Sequence, residues 1–258
     1  MILTDIEAEL TRKGFAHVSA PDMRAVLTQA GLSDWAGFAD SWADLGVDTY
    51  MADGGRYRRR RHAALSVGAP LVDALSTDTL STDTLSTETG AIRRKPHQPH
   101  YQSRDYNALN GGLARWFDPV TEATAAHPAL HAILRTCLAV FDACTDAATR
   151  PPAWHVELHQ FRIEARPGEQ GQPTPEGLHR DGVDWVLVLL VRRENVASGE
   201  TSIHDLQRRP LGSFLLAEPM EAAWVDDGRV FHGVTAITPL DPTRPAYRDV
   251  LVATFRRE

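Results

Sequence analysis

The stretch Gly177–Val191, "GLHRDGVDWVLVLLV", decides how the rest of the chain is read. Its second half is an unbroken apolar run rich in Val, a strand candidate. Its first half puts a histidine and a carboxylate two residues apart at the mouth of that strand. Residues i and i+2 of a strand point to one face, so His179 and Asp181 are a candidate pair of ligands for one ion. The triplet alone has no weight. With 11 histidines and 34 acidic residues in 258, chance supplies one or two His-x-acid patterns. The chain holds two, the other being His155-Val156-Glu157.

Outward from this stretch, the chain beyond residue 151 alternates short apolar runs with turn signals. "WHVELHQFRI", the region of His179, "DWVLVLLVRR", "ETSIHDL", "SFLLA", "EAAWV", "RVFHGVTAI" and "RDVLVATFRR" are separated by Gly, Pro and Asp-Gly turns. Short strands at this spacing, without helices between them, predict a sandwich or barrel. The expected architecture is mainly β with α, a double-stranded β-helix (jelly-roll) core with N-terminal helices packed on one side. Asp226-Asp227-Gly228 between two apolar runs predicts a hairpin.

Residues 1–150 are expected to be mostly helical, in one domain, 1–258, with the core at 151–258. "APDMRAVLTQAGL" has Pro21 and Asp22 at a helix start and Gly31 at a stop, and "SDWAGFADSWADL" repeats the pattern. "PALHAILRTCLAVFDACTDAA" suits a helical pair. A Ser/Thr-rich pentapeptide occurs three times at 75–90 and buries too little to offset its ordering entropy, so a mobile loop is expected there. "RRKPHQPHYQSRDYNALNGGLARWF" follows as an irregular connector, and polar loops on a scaffold often line sites.

The net charge of −7 argues against a nucleic-acid binder. Lys13 and Lys95 are the only lysines, so the run Arg56-Tyr57-Arg58-Arg59-Arg60-Arg61 is expected to be a solvated face or a patch paired with acids. Cys137 and Cys144 are expected as reduced thiols in a helix. No apolar run approaches the ~20 residues of a membrane span, and the first residues lack the basic-then-apolar pattern of a leader. A soluble, cytoplasmic protein with no membrane or nucleic-acid partner is the expectation.

Two more residues give His179 and Asp181 context. His232, in "RVFHGVTAI", is a strand histidine that would complete a two-histidine, one-carboxylate set, the arrangement that leaves open positions on Fe(II). Arg248 heads the last strand, "RDVLVATF". An arginine aimed into a sandwich interior is costly unless an anion meets it, and its planar fork suits a carboxylate. A dicarboxylate that chelates a metal at one end and meets Arg248 at the other has the shape of 2-oxoglutarate. Arg244, in the loop "PTRPAY", competes for that role.

The ordered set His-x-Asp, distant His, then Arg resembles the Fe(II)/2-oxoglutarate-dependent dioxygenases. More narrowly, the chain is similar to the bacterial hydroxylases of free L-amino acids, the L-isoleucine-4-hydroxylase-like family. "PHYQSRDYNALNGGLARWF", "VELHQFRI", "PEGLHRDGVDWVLVLLVRRENVASGET", "FHGVTAI" and "YRDVLVATF" carry the resemblance, with "YRRRR" as a looser match. Ser198-Gly199 stands where the family often has Gly-Gly. The resemblance implies His179, Asp181 and His232 as iron ligands and Arg248 as the cosubstrate anchor. It also implies a jelly-roll core and hydroxylation of an unactivated C–H with release of succinate and CO2. Fe(II), 2-oxoglutarate and O2 are the expected cofactors and cosubstrates. Halogenating relatives lack the carboxylate ligand, so Asp181 implies hydroxylation, or sulfoxidation of a thioether, over chlorination.

A free amino acid needs a cation for its carboxylate and an acceptor for its ammonium. Arg162, Arg115 and Arg180 are candidates for the first, Asp184 and Glu157 for the second. Gln160, which shares a strand face with Arg162, is a further cosubstrate candidate, and Thr201 and Tyr101 could add hydroxyls. His159 and His204 are expected to be bystanders. A cupin-like metal or small-molecule binding module without redox turnover is the alternative on the same fold; it gives Arg248 no task.

Overall fold

Trp185–Val191 forms a strand with neighbours on both edges and cover on both faces, which is why its side chains are almost all apolar. The computed structural model describes residues 2–52, 54, 56–68, 91–107, 109 and 111–258, so the repeat at 75–90 lies outside the described residues. The elements run α1 (Leu3–Lys13), β1 (Phe15–Val18), α2 (Ala20–Gln29), α3 (Trp35–Asp40), β2 (Arg58–Gly68), β3 (Ala91–Arg94), α4 (Glu122–Ala125) and α5 (Pro128–Cys144). There follow β4 (Ala153–Ala165), β5 (Trp185–Glu194), β6 (Val196–Ser198), β7 (Glu200–Asp205), β8 (Pro210–Leu215), β9 (Ala222–Asp226), β10 (Val230–Val234), β11 (Ile237–Pro239) and β12 (Ala246–Arg257).

A large antiparallel sheet has the order β1-β9-β5-β12-β4-β2-β3, and a small one the order β10-β7-β8. The arrangement is the mainly-β double sheet of a jelly roll, with helices packed on one side. No helix among the described residues is long and apolar enough to cross a membrane.

The helices form where local signals place them. Ser19 caps α2 by accepting the Asp22 N–H, and Pro21 sits in its first turn. His127 caps α5 and Pro128 opens it. Ile6 and Leu10 of α1, Met23, Val26 and Leu27 of α2, and one face of α5 pack on Trp154, Val156 and Leu158 of β4, Leu187 and Leu189 of β5, and Leu251 and Phe255 of β12. Cys137 and Cys144 are free thiols, the first fully buried.

Four expectations need correction. Residues 1–150 contribute three strands to the large sheet, and β2 pairs with β4 along all its 11 residues. The arginine run is part of β2 and is paired with acids, Arg58 and Arg60 with Asp48, Arg59 with Glu164 and Arg61 with Asp44, but it is not a solvated face: Arg58 and Arg60 are 6% and 4% exposed. Alternation turns these two to the interior, where Asp48 and aromatic rings meet them, while Arg59 and Arg61 point to the other face. Pro128–Cys144 is one helix and not a pair, because Thr145 is extended. The Asp226–Gly228 turn makes no hairpin. β9 enters it from the large sheet and β10 leaves it in the small one, so the turn carries the chain between sheets.

Phe141 of α5 sits at the junction of helix and sheet, fully buried, stacked on Trp185 (centroids 5.4 Å, planes 9° apart) and edge-on to Trp224 and Phe255. Phe141→Ala should lower the unfolding free energy by about 3–5 kcal/mol, read by chemical denaturation. A loss under about 1 kcal/mol would mean that the helix layer is not anchored there.

Candidate metal centre and cavity

The backbone brings the first two candidate ligands together. His179 pairs with His232 of β10 as an isolated bridge, each N–H donating to the other's carbonyl at 2.9 and 3.0 Å. Their ring centroids are 4.4 Å apart. Asp181 arrives by the turn that follows, in which Gly182 takes φ 80°. A Cβ at Gly182 would lie 2.6 Å from the Tyr106 ring, so conformation and space both require glycine.

Asp227 holds that turn. Its buried carboxylate accepts the N–H groups of Asp181 (2.8 Å), Gly182 (2.7 Å) and Val183 (3.1 Å). Burial pushes the Asp227 carboxyl up, as does the charge of Asp181, while His232 and the amides of Asp181 and Val183 oppose both.

His179 Nε2 lies 3.8 Å from Asp181 Oδ1, and His232 Nε2 lies 3.5 Å from Asp181 Oδ2. These distances are too long for hydrogen bonds and suit three donors facing one cation. The Nδ1 of His179 is 3.0 Å from the Gly177 carbonyl. A carbonyl only accepts, so Nδ1 carries the proton and Nε2 keeps its lone pair toward Asp181. Burial lowers the His232 pKa to about 3, helped by the charge of His179. His179 moves the other way: burial pulls it down, but the charges of Asp181 and Glu176 outweigh burial. Two buried imidazoles and a half-buried carboxylate, mutually oriented, form a donor set that fits Fe(II).

A second cluster, His62, His100, Glu157 and His159, also has its donor atoms within 4.8 Å of one another. Here hydrogen bonds reach His100 and His159, while His62 has no hydrogen-bond partner for either ring nitrogen among the described residues and lies 3.8 Å from Glu157. Arg60 Nη2 donates to His159 Nδ1 at 2.7 Å and Lys95 Nζ to His155 Nδ1 at 2.8 Å. Both histidines therefore carry their protons on Nε2, the nitrogen that faces Glu157, 3.7 and 3.6 Å away. His100 Nδ1 donates to Glu157 at 2.5 Å. Burial alone would raise the Glu157 pKa, but the surrounding histidines hold its carboxyl far below the usual range.

The first group, and His100, Glu157 and His159 of the second, line one cavity of about 350 Å³ between the large sheet and the small one. On β4 the lining residues are the odd-numbered ones, His155 to Ile163, and on β12 the even-numbered ones, Arg248 to Arg256. Arg248 is 2% exposed, and its Nε and Nη2 have no hydrogen-bond partner among the described residues. Burial and the charge of Arg193 lower its pKa to about 10.

The remaining candidates divide. Arg115, Glu157 and Tyr101 line the cavity. Gln160 and Arg162 do not: Gln160 donates to Ser41, and Arg162 forms a two-pronged pair with Asp249 on the helix side of the sheet. His159, expected as a bystander, takes the inward face in their place. Arg244 is exposed and bonds Glu194. Asp184 is held by Arg257, and Arg180 lies over Tyr106 and Phe231. Thr201 is buried in the small sheet, and neither it nor His204 is among the lining residues. The sequence reading missed Arg58, Arg60, Glu176 and Asp227. For the arginines the sequence offered no alternation, since residues 58–61 are all arginine.

Residues 39–254 match the sequence profile of the 2OG-Fe dioxygenase family. The chain is 30% identical over 159 residues to the L-isoleucine-4-hydroxylase of Bacillus thuringiensis, covering 60% of this chain and 64% of that protein. It is 24% identical to the 3(1)-hydroxy-L-isoleucine 4-dioxygenase of Pantoea ananatis, covering 62% and 64%. The chain thus spans less than two thirds of the length of these relatives. The crystal structure of a BsmA homologue from Methylobium petroleophilum superposes with a TM-score of 0.82 at 31% identity, covering 100% of this chain and 94% of that one.

If Asp227 sets the Asp181 turn, Asp227→Ala should speed amide hydrogen exchange at Asp181, Gly182 and Val183 and weaken Mn(II) binding at least about tenfold, the loss of hydrogen bonds to a charged acceptor. Unchanged exchange at those three amides would remove the role assigned to Asp227.

Proposed function

The chain belongs to the 2OG-Fe dioxygenase family, and we propose that it hydroxylates an unactivated C–H bond of a free L-amino acid or close derivative, using Fe(II), 2-oxoglutarate and O2. The observation that carries this reading is Arg248, a buried guanidinium with two unmet nitrogens, in the same cavity as His179, Asp181 and His232. A cupin-like binding module has no use for such a group.

In this reading His179, Asp181 and His232 hold the iron, and Arg248 takes the far carboxylate of 2-oxoglutarate. Iron with 2-oxoglutarate and O2 supplies the oxidising chemistry, with succinate and CO2 as coproducts. The chain's own residues orient and shield. Asp227 fixes the Asp181 carboxylate through the backbone, and Gln102 Nε2 approaches its Oδ1 at 3.4 Å. Val188, Val234, Val250 and Val252 give the cavity an apolar wall that suits an aliphatic side chain and keeps water from the target carbon. The names of the relatives support an amino acid as substrate.

Succinate release from 2-oxoglutarate, with Fe(II), ascorbate and a panel of L-amino acids, tests the proposal. Stimulation by at least one amino acid is expected, and none across the panel would sink the substrate assignment. Asp181→Ala should abolish turnover in a protein that still folds. Arg248→Leu should raise the KM for 2-oxoglutarate about tenfold or more, since it removes a charge-assisted pair. An unchanged KM would move the anchor elsewhere.

A further inference from the structure

We infer that Arg58, Arg60 and Arg115 form a second anion site in the cavity and take a carboxylate of the substrate, an inference that rests on the oxygenase reading above. All three line the cavity. Arg60 and Arg115 are 4% and 3% exposed, and the Nε of each has no hydrogen-bond partner among the described residues. Arg60 is held flat between two rings, its guanidinium 3.6 Å from the centroid of Phe117 and 4.5 Å from that of Phe161. Arg115 lies 5.9 Å from the same Phe117 centroid, so the two cations share one corner.

The direct pairing there is incomplete. Asp48 is the acid of the group, accepting Arg58 Nε at 2.8 Å and the Tyr50 N–H at 2.9 Å, with Arg60 Nη1 at 3.5 Å. Glu157 accepts from His100, and Glu157 and Glu176 reach Arg115 through their charge, with no hydrogen bond to it. Among the described residues, Asp48 is thus the carboxylate in direct contact with these guanidinium groups. Burial, then the charge of Arg58, pulls Arg60 and Arg115 below the ordinary arginine range. Buried cations in excess are costly unless an anion completes them. An arginine with a purely structural task looks different: Arg162 has both prongs filled by Asp249 at 2.7 Å each.

The site is separate from Arg248. Phe161 of β4 pairs with Arg60 on β2 at one edge and with Val250 on β12 at the other, so β4 stands between the two cationic groups. One cavity then holds two carboxylates at once, the cosubstrate's on β12 and the substrate's on β2, with the metal donors between the sheets. The planar fork of arginine suits both.

The test is calorimetric titration of protein loaded with Mn(II) and saturating 2-oxoglutarate without O2, so that Arg248 is occupied and no turnover occurs. The probes are aliphatic L-amino acids including L-isoleucine, the matching acids without the amino group such as 3-methylpentanoate, and the matching amides such as L-isoleucinamide. Probes with a carboxylate should bind and amides should not. Arg115→Gln should weaken carboxylate binding about tenfold or more. Arg115→Lys, which keeps the charge and loses the fork, should fall between, with thermal melts showing that both variants fold. Amides binding as tightly as acids, no carboxylate binding at all, or an affinity untouched by Arg115→Gln would each overturn the inference. Uncoupled succinate formation by the wild-type protein reads the oxygenase assignment separately: its absence counts against that assignment, while dependence of carboxylate binding on Arg115 would still stand.

Discussion

A strand shows alternate residues to opposite faces, and here one strand of 13 residues, β4, must satisfy two unlike environments at every step. Its even residues Trp154, Val156 and Leu158 join the apolar layer under the helices. Its odd residues His155, Glu157, His159 and Phe161 line the cavity. β12 on one side and β2 on the other keep register with it, so their arginines are dealt to the cavity by the same alternation. A slip of one residue would exchange the two faces, putting Glu157 under the helices and Trp154 into the site. The apolar helix layer therefore specifies the polar face it never touches.

The metal donors depend on a different constraint, the crossing of the chain from one sheet to the other beside them. The turn after β9 leaves the large sheet and delivers His232 to the small one. Asp227, in that turn, reaches back to the amides of Asp181, Gly182 and Val183. The His179–His232 bridge closes the other side. Two donors from one loop and one from a strand are thus tied by backbone hydrogen bonds before any ion is considered, the kind of support that keeps ligand geometry from drifting.

How much of this was legible in the sequence follows from what each signal reports. The double sheet and the group His179, Asp181, His232 and Arg248 were legible because apolar runs, turn residues and motif order are all local or ordinal. Period two says which residues of β4 share a face, but not which face is inward. Gln160 and Arg162 travel with Val156 and Leu158, His159 with Phe161 and Ile163, and both sets mix polar with apolar. The run at Arg58–Arg61 looked solvated because charge composition hides alternation, and only Asp48, Phe117 and Phe161, far off in sequence or out of pattern, make burial tolerable. Asp-Asp-Gly reported that the chain reverses, without reporting which sheet each arm would join.

The unmet nitrogens of Arg248 have a thermodynamic side as well. A buried guanidinium that finds too few acceptors within the chain weakens the fold that contains it. Any anion that fills the position stabilises the folded state by mass action, about 2.7 kcal/mol at a concentration one hundred times its dissociation constant. The lifetime of the folded protein is then coupled to the supply of a small carboxylate, so that depletion of the metabolite also leaves the protein itself more open to unfolding and proteolysis.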